Sequence, residues 1–208
     1  MDSYFIPADP LSVTEETIKK SRFITYLAHT PGEQASKQFI DHIKTEHPAA
    51  RHHCWAFVAG APDHSQLFGF SDDGEPSGTA GKPMLSQLQG SEIGEITAVI
   101  VRYYGGVMLG TGGLVKAYGG GVQAGLRCLK RQVKMLRTRY ALHCQYGQLA
   151  EIERVIARHQ GLLIQSDFQV EITLTIDLPP MMFEQCQQQL RDMSRGMLSL
   201  QSVINSHV

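Results

Sequence analysis

Arg102-Tyr103-Tyr104-Gly105-Gly106, followed closely by Gly110-Thr111-Gly112-Gly113, is the part of this 208-residue sequence best equipped for chemistry. The apolar run Ile96–Val101 before it reads as a buried strand, and Gly113–Arg131 after it reads as a helix. A strand that ends in a glycine loop and opens a helix turns the first N–H groups of that helix toward the loop, where they have no partners. Thr111 can cap the helix through its hydroxyl. Such a terminus attracts anions, because its N–H groups are unpaired and the helix dipole favours negative charge. Arg102 at the strand end, Lys116 near the first turn, and Lys82 from elsewhere in the chain supply positive charge. No carboxylate occurs between Arg102 and Arg131. The simplest ligand is phosphate or sulfate, and the natural one a nucleic-acid backbone, with a tyrosine ring for stacking. Alternation assigns one of Tyr103 and Tyr104 to the core. The competing reading is a tight strand–helix connection with an empty helix end.

Ser71-Asp72-Asp73-Gly74-Glu75-Pro76-Ser77-Gly78-Thr79-Ala80-Gly81-Lys82-Pro83 is a second candidate. It resembles a P-loop, but Pro76 stands where the first glycine belongs and Pro83 where Ser or Thr must follow the lysine. Asp72, Asp73 and Glu75 could together hold Mg²⁺ beside a phosphate; the alternative is a solvated acidic turn. In His52-His53-Cys54, adjacent residues on a strand face opposite ways, so one metal cannot take both histidines. A G-x-S-x-G elbow is absent, and G-x-G-x-x-G fails because Val115 occupies the third glycine position.

These residues need elements to hold them. In the first half, Ile18 to Ala28 reads as a strand or hairpin. Gly32–His47 reads as a helix ended by Pro48, and Cys54–Val58 and Ile96–Tyr103 as strands. The last is nearly all apolar and so buried on both faces. Fifteen of the 20 glycines lie between Gly69 and Gly125. Gly119-Gly120-Gly121 and Gly125 inside a helix imply that a neighbour packs close to its backbone. In the second half, Arg139–Tyr146 reads as a strand and Leu149–Ile156 as a helix. Leu162–Phe168 and Val170–Leu178 read as strands, Pro179-Pro180 opens a helix, and Met197–Ile204 is a final strand. That order, β-α-β-β-α-β, is the ferredoxin-like split motif. Between Arg127 and Arg139 six basic residues occur without an acidic one, which places a seam near residue 136 and gives domains 1–135 and 136–208. The fold class is α+β.

Composition is that of an ordinary globular protein, 42% hydrophobic and 19% charged, and a net charge of −1 excludes a general polycation. Four cysteines without metal or redox spacing fit reduced thiols in the cytoplasm. The N-terminus has no signal-peptide pattern, and no apolar run approaches a membrane span.

Together, Lys19-Lys20-Ser21-Arg22-Phe23-Ile24, Ala50-Arg51-His52-His53-Cys54, Phe70 to Pro83, and Val101 through Gly121 resemble the IMPACT family, in its bacterial YigZ-type branch. The resemblance spans most of residues 15–125, and the ferredoxin-like tail is similar to the small C-terminal domain of the bacterial members. It implies a first domain in the superfamily of elongation factor G domain IV and the GHMP kinases, with a left-handed β-α-β crossover. Eukaryotic relatives regulate translation by blocking activation of an initiation-factor kinase, through machinery that bacteria lack. Some bacterial relatives carry a proline dipeptidase label, for which the sequence shows no dinuclear ligand set. The expected function is therefore a non-enzymatic, translation-linked factor that binds RNA, the ribosome or a translation partner through the glycine-rich surface. The alternatives are a Mg²⁺-dependent enzyme acting on a nucleotide or phosphorylated metabolite, and a protein–protein adaptor without an anionic ligand. No cofactor beyond Mg²⁺ and no membrane partner is expected.

Overall fold

Ile96–Tyr103 is apolar along nearly its whole length because helices cover both of its faces. The computed structural model describes residues 3–203. Its first compact unit, Tyr4–Lys134, contains β1 (Ser3–Pro7), β2 (Leu11–Ile18), β3 (Ser21–His29), α1 (Glu33–Glu46), β4 (His52–Val58), β5 (Phe68–Ser71), α2 (Gly81–Gly90), β6 (Ile96–Tyr103), α3 (Thr111–Cys128) and β7 (Arg131–Met135). The sheet order is β2-β3-β6-β4-β5, with every neighbouring pair antiparallel. Strands β3 and β4 therefore run parallel with β6 between them, and α1 joins them. Likewise β5 and β6 run parallel with β4 between, joined by α2.

Alternation along β6 then divides the core. Ile96, Ala98 and Ile100 pack with Leu27, Met84, Leu88, Tyr118 and Val122 under α2 and α3. Val99 and Val101 pack with Ile24, Ile40, Ile43 and Phe57 under α1. On the α3 side the helix approaches closely, because a Cβ on Gly121 would stand 2.7 Å from Thr25 Oγ1. For Gly121 and Gly125 the close neighbour is the sheet, for Gly119 it is Pro83 and Gln87 of α2, and Gly120 has none.

Several elements differ from the sequence reading. The Ile18–Ala28 segment is the second half of a hairpin that begins at Leu11, turning at Lys19 and Lys20 with φ of 45° and 63°. Both values lie in the left-handed region that a two-residue hairpin turn requires. Strand β2 escaped notice because it is an exposed edge with little apolar alternation. Helix α3 starts at Thr111 and ends at Cys128, not Gly113 and Arg131. The basic run is no open linker: it holds the end of α3, β7 and the approach to the next strand. Strand β7 pairs with β1, and buried Glu95 ties both to the sheet. Tyr4 donates to Glu95 Oε1 at 3.0 Å, His29 Nε2 bonds Oε2 at 2.9 Å, and Lys134 bonds Oε1. Burial pushes the Glu95 carboxyl up, but these three partners outweigh it and hold the group below the usual range.

The second unit comprises residues 135–203. Its elements are β8 (Thr138–Cys144), α4 (Leu149–Arg158), β9 (Leu162–Phe168), β10 (Ile172–Leu178), α5 (Phe183–Ser194) and β11 (Gln201–Ser202). The sheet order β11-β8-β10-β9, antiparallel throughout, is the ferredoxin-like split β-α-β. Leu142, Ile172, Leu174, Ile176 and Leu178 pack on Ile152, Ile156, Cys186 and Leu190 of the two helices. The expected final strand Met197–Ile204 shortens to Gln201–Ser202, and Ile204 lies outside the described residues. Among the described residues, no helix is long and apolar enough to cross a membrane.

All four cysteines are free, and only Cys128 is exposed. Burial pushes the Cys54 and Cys144 thiols up, and that of Cys186 to about 11. Since the thiolate is the reactive species, Ellman's reagent should titrate one thiol per chain rapidly in the native protein. The remaining three should react only after denaturation.

Candidate functional site

Arg102 is the next-to-last residue of β6 and continues the face of Ile100, so its side chain enters the layer beneath α2 and α3 rather than solvent. It is 5% exposed. Nη1 donates to Glu75 Oε1 at 2.6 Å and Nη2 to Ser21 Oγ at 3.3 Å. The guanidinium lies 5.4 Å from the Phe23 ring centre and 5.5 Å from that of Tyr104. Its buried Nε has no hydrogen-bond partner. Tyr118 of α3 donates to the same Glu75 oxygen at 2.7 Å, and the Gly105 N–H donates to Ser21 Oγ at 3.2 Å. Burial pushes the Tyr118 phenol far up, so it serves as a hydrogen-bond donor. The segment Arg102–Arg131 itself holds no carboxylate. The counter-charge of Arg102, Glu75, arrives from a loop 27 residues upstream.

That loop is rigid because its carboxylates are already engaged. Asp72 accepts the N–H groups of Gly78 at 2.8 Å, Ala80 at 3.0 Å and Gly81 at 2.8 Å, which caps α2. Asp73 accepts the His53 N–H at 2.7 Å and pairs with Lys44 at 3.7 Å. Glu75 faces Arg102. The proposed Mg²⁺ set is corrected on this geometry: Asp72, Asp73 and Glu75 turn to three separate sets of partners. Among the described residues, no group of three or more His, Cys, Asp or Glu side chains is placed to hold a metal ion. The two histidines also diverge. His52 Nδ1 donates to the Asp73 carbonyl at 2.8 Å and His53 Nε2 to the His47 carbonyl at 3.0 Å.

A cavity of about 370 Å³ opens where α3 begins. One wall is the helix start, with Leu109, Gly110, Thr111 and Leu114; the other is Glu75, Pro76 and Arg102. Arg51, His52, Tyr104 and Met108 complete it. Gly110, not Thr111, occupies the cap position, with φ 77° and ψ 163°, and no side chain bonds the helix terminus. The first helical bond runs from Leu114 N–H to Gly110 O at 2.9 Å. The N–H groups of Thr111, Gly112 and Gly113 precede it and so lack helical partners.

The expected site residues separate on this map. Arg102, Tyr104 and Thr111 line the cavity. Gly105 is a packing glycine: a Cβ there would stand 1.9 Å from the Lys20 carbonyl oxygen. Gly106 turns the chain at φ 81°. Gly112 and Gly113 form the first turn of α3. Tyr103 faces the other side of the sheet, its hydroxyl 2.8 Å from His47 Nδ1. Lys116 is exposed and does not line the cavity, and Lys82 borders a separate hollow with Pro83, Ser86 and Gln87. Arg51 and His52 were missed as anion-site residues. The β4–β6 pairing sets His52 directly beside Arg102.

The family profile for the Impact N-terminal domain matches residues 19–126, and that of a domain of unknown function (DUF1949) matches residues 142–197. The chain is 58% identical over 203 residues to IMPACT family member YigZ of Escherichia coli (strain K12), covering 98% of this chain and 99% of that one. It is 51% identical over 201 residues to an IMPACT family member of Haemophilus influenzae, covering 97% of each. A solved structure described as a crystal structure of a hypothetical protein superposes with a TM-score of 0.76 at 55% identity, covering 99% of this chain and 100% of that one.

The wall of the cavity that carries Glu75 depends on Asp72. Burial pushes the Asp72 carboxyl up, but its three backbone donors outweigh that and lower it. A group lowered on folding contributes stability above its unfolded value of about 3.9, and the contribution is lost as pH falls through the folded value. Asp72→Ala should cost about 2 kcal/mol near neutral pH. Urea melts of the two proteins should converge as pH falls below about 4.

Proposed function

The chain belongs to the IMPACT family, and on that premise we propose that it is a non-enzymatic, translation-linked factor that binds single-stranded RNA at the start of α3. The observation that carries this reading is an uncapped helix N-terminus opening into a cavity that a buried guanidinium also lines. Arg51 and His52 add basic groups beside it, and Tyr104, 45% exposed, offers a ring face on which a base can stack. A phosphate seated against the N–H groups of Thr111, Gly112 and Gly113 meets the positive end of the helix dipole. The Arg102–Glu75 pair contributes little net charge, so Arg51 supplies the principal full charge at the cavity. The translation link rests on the family's eukaryotic members. No observation favours the Mg²⁺-dependent enzyme, whose carboxylates are apart.

Fluorescence anisotropy with a labelled single-stranded RNA of about ten nucleotides tests the reading, since a strand of that length spans a typical single-stranded site. Affinity should fall with rising salt, as phosphate contacts require. Arg51→Glu should weaken binding at least tenfold and Tyr104→Ala about tenfold. Lys116→Glu, outside the cavity, should change it less than about twofold. Glu75→Gln leaves the Arg102 charge uncompensated, so it should tighten binding while lowering the melting temperature. Absence of binding at 50 mM salt, or equal losses for Arg51→Glu and Lys116→Glu, would overturn the proposal.

A further inference from the structure

The N–H groups of Thr111, Gly112 and Gly113 have no helical partner, and no side chain caps them. A Cβ on Gly112 would meet nothing within 4 Å, so the approach to these groups is clear of protein. A further donor stands on the same cavity from a different element. Arg102 is 5% exposed, and its buried Nε has no acceptor among the described residues. Buried donors are nearly always bonded, so this one points to an acceptor that the described chain does not supply. The cavity around these donors is compact. Its volume of about 370 Å³ lies at the lower end of the ~300–1,000 Å³ of sites that enclose one small molecule. Glu75 and Arg102, both buried, form its inner side, while Arg51, Tyr104 and Met108 stand exposed.

We infer that this cavity takes the phosphorylated end of a single strand, a terminal phosphate monoester, rather than a phosphate in mid-strand; the inference rests on the RNA-binding reading and narrows it. A strand held by an internal phosphate must both enter and leave, whereas a volume of this size with a buried inner wall holds a single nucleotide. A monoester presents three free oxygens and carries a charge of about −1.5 to −2 near pH 7. An internal phosphodiester presents one oxygen fewer and a single negative charge. The N–H groups of Thr111, Gly112 and Gly113 match the three oxygens, and the larger charge gains more from the helix dipole and from Arg51. The Glu75 carboxylate also lines the cavity, but its Oε1 is held by both Arg102 and Tyr118, so it does not oppose the phosphate as a free charge. The terminal nucleoside then lies against Tyr104, Met108 and Leu114, and the rest of the strand runs outward past the rim.

Fluorescence anisotropy of the full chain with RNAs of one sequence, about ten nucleotides long and labelled on an internal base, tests the inference. One RNA carries a 5′-phosphate, one a 3′-phosphate, and one hydroxyls at both ends. One of the phosphorylated strands should bind at least tenfold tighter than the unphosphorylated strand, and which one it is assigns the end. Thr111→Glu puts a carboxylate in the first turn of α3, where it suits the helix dipole. The melting temperature of that variant should hold or rise while the preference for a phosphorylated end disappears. Equal affinity for all three strands overturns the inference and leaves the RNA-binding reading standing. A preference that survives Thr111→Glu also overturns it, since the phosphate is then recognised elsewhere. Binding of none of the strands removes the RNA-binding reading and this inference together.

Discussion

Most of what surrounds the cavity depends on one buried ion pair, Arg102 with Glu75. Both side chains are almost wholly out of water, and removing either partner alone leaves an uncompensated charge that costs about 3–5 kcal/mol. The pair recruits its neighbours accordingly. Tyr118 satisfies the carboxylate, Ser21 satisfies one guanidinium nitrogen, and Phe23 and Tyr104 enclose the remainder. Through these contacts the pair joins the ends of β3 and β6, the loop before α2, and the body of α3. An apolar pair would fill such a space at less desolvation cost, so the pair's value lies in fixing where the loop and the helix start stand relative to one another. The orphaned Nε shows that the arrangement stops short of full satisfaction.

The sheet makes this placement firm. Strand β6 is buried on both faces and hydrogen-bonded on both sides, so Arg102 at its end has little freedom to shift. The loop on the opposite wall is equally constrained, because the three N–H bonds of Asp72 convert a glycine- and proline-rich segment into a cap for α2. Arg51, Tyr104 and Met108 stand exposed at the rim of the cavity. The base is preorganised and the rim open to solvent.

Periodicity was a reliable guide where burial was one-sided or complete. The second unit's strands and helices alternate so regularly that their order, and with it the ferredoxin-like split, is legible from Arg139 onward. Strand β6 was legible because its apolar run is unbroken. Strands β1, β5 and β7 were not, since four- or five-residue strands carry too few positions to establish a period. The site was half legible. A helix start beside Arg102 and Tyr104 follows from a strand–glycine–helix pattern, but the cap at Gly110 rather than Thr111, and Glu75 as the partner of Arg102, do not. Charge complementarity across 27 residues leaves no local trace, and an acidic Gly-Pro segment reads equally as a solvated turn. Nor did alternation decide which tyrosine was core. Tyr103 went to the α1 side and its hydroxyl found His47, a partner that no spacing rule connects to it.

The strand order β2-β3-β6-β4-β5 also bears on how the chain is made. A ribosome delivers β3 and β4 long before β6, yet these two strands touch only through β6. Until residue 103 has emerged, the first unit can hold only two separate hairpins, β2–β3 and β4–β5, each with an apolar edge awaiting the same missing strand. Arg102 is among the last residues of that strand, so Glu75 spends the early life of the nascent chain in water and loses its hydration only when the central strand docks. Cooperative closure of the first unit is therefore reserved for a late moment in synthesis. The two waiting edges are the interval's hazard, since either could accept a strand from a neighbouring nascent chain.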